Sequence, residues 1–168
     1  GNETPKKIPE QNKTYNVYRA IKLGLGDFFA KSGFKTACLG LSGGIDSAVV
    51  LSMAAEALGP ENIRVLLMPS QFSSDHSVED ARELAENLGV EYQIVPINET
   101  FAALTATLGP VFGELPFNVA EENMQARIRG MMMMAISNKF GNVLLATSNK
   151  SEIAVGYGTL YGDTVGAL

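Results

Sequence analysis

Cysteine is almost absent from this chain: Cys38 is the only one in 168 residues, so no internal disulfide can form and the sequence fits a reducing compartment. Histidine is as scarce. His76 lies in a polar stretch and reads as a solvated side chain, so chemistry built on a catalytic histidine is not expected. No apolar run reaches the roughly 18 residues that span a bilayer. The longest, Met131 to Ile136, is bounded by Arg129 and Lys139. Residues 1–13 carry Lys6 and Lys7 without an apolar core, which excludes a secretory signal; they read as a disordered or extraneous tail. Clusters of Lys and Arg are missing too, and the formal net charge is -5. A nucleic-acid binder needs a basic patch, so neither nucleic acid nor membrane is expected as a partner. A small molecule in a cytoplasmic setting fits better. The acidity leaves a nucleotide open, because a phosphate site is local and can rest on backbone N–H groups.

With 46% hydrophobic and 18% charged residues, the chain can build a substantial core, and its length suits one domain, placed at 14–168. Helical spacing of Tyr18, Ile21, Leu25 and Phe28 predicts a helix over Thr14 to Lys31, stopped at Gly33. The segment Thr36 to Leu41 reads as a buried strand, Ser47 to Leu58 as a helix and Ile63 to Met68 as a second strand. After a polar loop, Ser77 is the expected N-cap of a helix ending at Gly89. Tyr92 to Pro96 is a third strand, Asn98 to Leu108 a helix and Gly109 to Phe117 a loop. Asn118 starts a long helix, with Glu121 in capping-box position. Its Met131 to Met134 run is expected to fill a buried face. Val143 to Ala146 is the fourth strand, and no clear final element follows before Leu168, as in a chain truncated at its C-terminal end. Strands alternating with helices predict an α/β fold, doubly wound, with a mostly parallel sheet covered by helices on both faces. Ligands of such sheets lie at the carboxyl ends of strands, where residues 42–47, 69–76 and 147–152 fall.

Ser42-Gly43-Gly44-Ile45-Asp46-Ser47 joins the first strand to its helix. Glycines let a phosphate approach the backbone closely, and the N–H groups of a helix start carry partial positive charge. The hydroxyls of Ser42 and Ser47 add donors. Together they form an anion cradle suited to a pyrophosphate group. No lysine follows the glycines, so this is not a Walker A loop, and the glycine register does not supply a dinucleotide fingerprint. Asp46 would repel phosphates directly; holding Mg²⁺ that bridges to them is its sensible role. The alternative is a glycine-rich turn with Asp46 as an ordinary N-cap.

The sequence Gly40-Leu41-Ser42-Gly43-Gly44-Ile45-Asp46-Ser47 resembles the phosphate loop of the ATP pyrophosphatases, whose fold is adenine nucleotide alpha hydrolase-like. Two further segments narrow the resemblance to the NAD synthetases. Glu121 to Gly130 is similar to their helix that touches deamido-NAD, and Thr147 to Asp163 to their segment that meets ATP, metal and substrate. Met68-Pro69-Ser70, with Ser73 and Ser74, resembles the glutamine-dependent branch. The likeness runs from residue 15 to 168, with Ser148 and Ala167 standing where glycines are usual. Cys38 matches no amidase nucleophile and reads as a buried hydrophobe.

The resemblance implies ATP-dependent amidation of deamido-NAD by ammonia, supplied free or from glutamine through a separate domain, in a homodimer. It places ATP against Gly40, Leu41, Ser42, Gly43, Gly44, Ile45, Asp46, Ser47, Met68 and Thr147. It places Mg²⁺ at Asp46 and Glu152, and deamido-NAD against Asn123, Arg127, Glu152, Tyr157, Gly158, Thr159 and Leu160. Asn123 and Arg127, four apart, share a helix face; Arg129 lies elsewhere and is expected to be a surface charge. Lys150 reads equally as a phosphate partner or a surface lysine. No protein nucleophile is needed. A tRNA-modifying ligase of the same superfamily and a non-enzymatic nucleotide-binding module remain the alternatives.

Overall fold

The structure, a computed structural model, describes residues 12–166. Four parallel strands, β1 (Ala37–Gly40), β2 (Ile63–Leu67), β3 (Glu91–Ile94) and β4 (Val143–Leu144), lie in the order β3-β2-β1-β4. Ala37 pairs with Ile63 on one side and with Val143 on the other. The strand order reverses between β1 and β4, which opens a crevice at their carboxyl ends.

Alternation along the strands assigns the helices to two faces. Ala37, Leu39 and Leu41 point to one core with Val65, Leu67, Val143 and Leu145, closed by Phe29 of α1 (Lys13–Ser32), Leu51 and Ala54 of α2 (Ile45–Leu58) and Ala81 and Ala85 of α3 (Asp75–Leu88). Cys38, Leu66, Met68 and Leu144 point the other way. They meet Ile97 before α4 (Asn98–Phe112), Ile128 and Met133 of α5 (Val119–Phe140), and Val165. Fully buried Leu39, Leu51 and Leu66 each contribute roughly 1.5–3 kcal/mol through burial. The expected two-faced parallel sheet is therefore the observed one. Among the described residues no helix is long and apolar enough to cross a membrane. Cys38 is buried in β1, and burial pushes its thiol up to about 11.

Several local expectations change. Ser74, not Ser77, caps α3: its hydroxyl accepts from the Ser77 N–H at 3.2 Å, and the helix starts at Asp75. α4 runs through Gly109 and Pro110 to Phe112, because a proline on an exposed last turn forfeits only one bond, to a carbonyl that water can reach. β4 ends at Leu144, although Leu145 N–H still donates to Cys38 O at 2.9 Å. α1 buries Phe29 and packs Leu25 and Phe28 of its second half against the core, leaving Ile21 exposed, while Lys22 pairs with Glu56 of α2 at 2.8 Å. In the methionine run only Met132 and Met133 face the core; Met131 and Met134 are exposed. Beyond β4 a short helix, α6 (Lys150–Val155), supplies the element that the sequence reading left unassigned. The expected tail, residues 1–13, lies outside the described residues except for Asn12 and Lys13, which open α1.

Candidate active site

The loop between β1 and α2 is held open by its own serines. Ser47 is buried, and its hydroxyl donates to Gly44 O at 3.1 Å while accepting from the Ser42 N–H at 3.2 Å. Its single proton is thus spent, so in the 3.1 Å contact between the two hydroxyls Ser42 is the donor. The Ser42 hydroxyl also accepts from the Gly44 N–H at 3.2 Å. Ser47 therefore braces the loop from inside instead of offering a free hydroxyl. Gly44 is the N-cap of α2 and provides no side-chain acceptor. The N–H groups of Ile45, Asp46 and Ser47 in the first turn are left for an outside anion.

Gly43 explains why the loop carries glycine there. Its φ is +82°, and a Cβ would stand 2.3 Å from Ser77 O and 2.8 Å from Ser77 Cα. The phosphate loop thus lies directly on the first turn of α3. Both glycine-specific properties, left-handed backbone and no side chain, are used at this one position.

Beside the loop, at the crevice between β1 and β4, is a cavity of about 360 Å³, near the lower end of the range of roughly 300–1,000 Å³ for small-molecule pockets. Gly40, Leu41, Ser42, Met68 and Thr147 all line it, so the structure brings these expected nucleotide residues together. Arg129, expected at the surface, lines it as well, as does Asp163 at the end of the segment expected to meet ATP, metal and substrate. Far from being a surface charge, Arg129 is half-buried and donates through Nε to Met68 O at 3.0 Å. Burial lowers its guanidinium from the ordinary arginine value, and the Asp163 carboxylate opposes that shift. α5 can approach the closing segment because Gly130 and Gly162 carry no side chains: a Cβ on Gly130 would meet Tyr161 O at 2.9 Å, and one on Gly162 would meet Ala126 at 3.0 Å.

Asn123 and Arg127 do not line this cavity. They hold the segment after α6: Thr159 Oγ1 donates to Asn123 Oδ1 at 2.7 Å, and Arg127 Nε to Leu160 O at 3.2 Å. Tyr157 and Leu160 are exposed, Gly158 with them, and Lys150 and His76 are also at the surface. Glu152 forms a capping box on α6. Its Oε2 accepts from the Asn149 N–H at 3.1 Å, and its own N–H donates to Asn149 Oδ1 at 2.9 Å. Asn149 Nδ2 in turn donates to Asp46 Oδ1 at 3.2 Å. The Asn-x-x-Glu pattern at 149–152 is the local signal of this cap, which the sequence expectations did not include.

Among the described residues no group of three or more His, Cys, Asp or Glu side chains is arranged to hold a metal by itself. The donor set nonetheless suits Mg²⁺, which uses one or two carboxylates plus substrate phosphates. Asp46 and Glu152 are tied to the same asparagine beside the phosphate loop.

Comparison with known proteins identifies the family. The profile of the NAD synthase family matches residues 17–168. The chain is 56% identical over 155 residues to a glutamine-dependent NAD(+) synthetase of Synechocystis sp., covering 92% of this chain and 28% of that protein. It superposes on the glutamine-dependent NAD+ synthetase of Acinetobacter baumannii in complex with ADP with a TM-score of 0.93 at 45% identity, over 96% of this chain and 31% of that one. On the NH3-dependent NAD synthetase of Campylobacter jejuni the TM-score is 0.83 at 34% identity, over 94% and 66% of the two chains. The chain thus spans less than a third of the length of these two glutamine-dependent relatives. On sequence and structure alike, it belongs to the NAD synthase family.

Proposed function

We propose that this chain is the synthetase part of an enzyme that converts deamido-NAD to NAD at the expense of ATP. The observation that carries the proposal is the loop Ser42–Ser47, bare N–H groups outward, beside a cavity that already gathers Gly40, Met68 and Thr147. The ADP complex of the Acinetobacter relative supports a nucleotide in this fold. ATP phosphates lie on the loop and the base near Met68 to Ser70. A carboxylate oxygen of deamido-NAD attacks the α-phosphorus; the new O–P bond forms as the α–β anhydride breaks and pyrophosphate leaves. Ammonia, free or released from glutamine elsewhere in the protein, then adds to the acyl carbon, loses a proton to solvent and expels AMP. Mg²⁺, held by Asp46 with Glu152, would neutralise phosphate charge when bound. The chain's own contribution is alignment and a fixed set of donors. Asn123, Arg127 and Tyr157 to Leu160 form the deamido-NAD side of the site, in a cytoplasmic homodimer.

In the full-length protein, deamido-NAD, ATP, Mg²⁺ and ammonia should yield NAD, AMP and pyrophosphate in equal amounts. ADP and phosphate as products would overturn the mechanism. Nucleotide binding without turnover would favour the non-enzymatic module.

Arg127→Ala is expected to separate the two substrates. The arginine offers a planar fork for a carboxylate or phosphate and steadies Leu160. Losing a charge-assisted hydrogen bond costs roughly 1.5–3 kcal/mol, so kcat/KM for deamido-NAD should fall about tenfold or more while ATP binding stays near wild type. An equal loss for both substrates would assign Arg127 to the integrity of α5 instead.

A further inference from the structure

Asn149 caps α6 and also reaches across to the loop that starts α2, far away in sequence. Its side-chain oxygen accepts from the Glu152 N–H at 2.9 Å, and its backbone N–H donates to Glu152 Oε2 at 3.1 Å. Its amide nitrogen donates to Asp46 Oδ1 at 3.2 Å, across 103 positions of chain. The amide orientation follows from chemistry. A backbone N–H can only donate and a carboxylate can only accept, so the amide oxygen must face Glu152 and the NH₂ must face Asp46. No other arrangement satisfies both neighbours.

Capping alone does not require asparagine here, because serine and aspartate cap a helix about as well. Serine stops one bond short of Asp46, and aspartate brings no N–H donor. The amide NH₂ is the feature that capping leaves unexplained. It engages one oxygen of Asp46, the Oδ1 atom, and leaves Oδ2 for another ligand. Because the same side chain starts α6, the direction of the Asp46 carboxylate depends on α6 being formed and docked.

We propose that Asn149 is a positioning residue: it aims the Asp46 carboxylate at nucleotide-bound Mg²⁺ and makes that aim conditional on the folding of α6. The proposal rests on the ATP-dependent reading above and adds to it a residue that touches neither substrate nor metal. It also gives the substrate side of the site, which continues from α6 through Tyr157 to Leu160, a physical link to the phosphate loop.

The test compares Asn149→Ser, which keeps the cap and loses the arm, with Asn149→Ala, which loses both. ATP binding is measured by calorimetry on the full-length protein over a Mg²⁺ series, alongside melting temperature. For Asn149→Ser, the Mg²⁺ concentration giving half-maximal enhancement of ATP binding should rise about tenfold, the loss of one bond to a charged group. Metal-free ATP affinity should stay at the wild-type value, and the melting temperature should fall by less than in Asn149→Ala. Asn149→Ala should show the same Mg²⁺ shift with a lower melting temperature. If serine behaves as wild type and only alanine is impaired, Asn149 is a helix cap and the proposal is wrong. If the wild-type protein itself shows no Mg²⁺-dependent ATP binding, the proposal is wrong, and formation of NAD, AMP and pyrophosphate in the product assay shows whether the functional reading still stands.

Discussion

Gly43→Ala is expected to cost the protein both stability and its hold on ATP. Two independent penalties act at this residue. A left-handed backbone costs a non-glycine residue about 1–2 kcal/mol, and Gly43 has φ +82°. The added Cβ would also lie 2.3 Å from Ser77 O, a backbone atom that cannot rotate aside. Overpacking of this kind typically costs about 1–3 kcal/mol. The sum, about 2–5 kcal/mol, corresponds to a melting temperature lower by roughly 4–20 °C for a domain of this size. Relief of the clash would push the phosphate loop off α3, so ATP affinity should fall at least about tenfold as well. Gly26→Ala is the control. Gly26 lies inside α1 with nothing within 4 Å of its would-be Cβ, and alanine there should be neutral or stabilising by about 0.5–1 kcal/mol. A Gly43→Ala protein that melts and binds ATP like the wild type would show that the loop does not depend on its seat against Ser77.

The contrast between those two glycines shows what a sequence can carry. The strand-to-helix loop was legible because its parts are consecutive: residues 40–47 include the strand end, the turn and the helix start. The cap of α5 was legible for the same reason, with Asn118 and Glu121 bonded within one turn. The first strand was legible as a short apolar run, and its period of two then sends Leu39 and Cys38 to opposite cores. That Gly43 must remain glycine because of Ser77 was not legible, as the contact joins segments with no common local pattern.

Arg129 is the clearest case of information that is only three-dimensional. Two positions from Arg127 on a helix means nearly opposite faces, and helical spacing correctly set the pair apart. It could not say which face meets the sheet. The answer depends on Met68, 61 residues away, whose carbonyl takes the Arg129 Nε proton. Arg127, the better candidate on paper, instead steadies Leu160 on the far side of the helix. Ser74 and Ser77 show the local limit. Both are serines near a helix start, their hydroxyls lie 2.7 Å apart, and composition gives no reason to prefer the earlier one.

Asp46→Asn should have the largest effect on catalysis and a small one on the fold. The change is isosteric, and an asparagine oxygen at the same place can still accept from Asn149 Nδ2, now 3.2 Å from Asp46 Oδ1. What is lost is the charge. A carboxylate in the first turn of a helix contributes about 0.3–1 kcal/mol through the helix dipole, so the melting temperature should drop by no more than roughly 4 °C. If that dipole contact were the whole role of Asp46, activity would hardly change. If the carboxylate holds Mg²⁺ against the phosphates, kcat/KM should fall by about 100-fold or more, equivalent to about 2.7 kcal/mol of transition-state stabilisation. Metal-free ATP binding supplies the second readout. Removing a negative charge beside three phosphates should leave it unchanged or tighter, while Mg²⁺ should no longer enhance it. Loss of turnover together with loss of metal-free ATP binding would mean that the loop itself was damaged. Turnover within a few-fold of wild type, with Mg²⁺ dependence intact, would leave Asp46 as an ordinary helix-start residue and move the metal elsewhere.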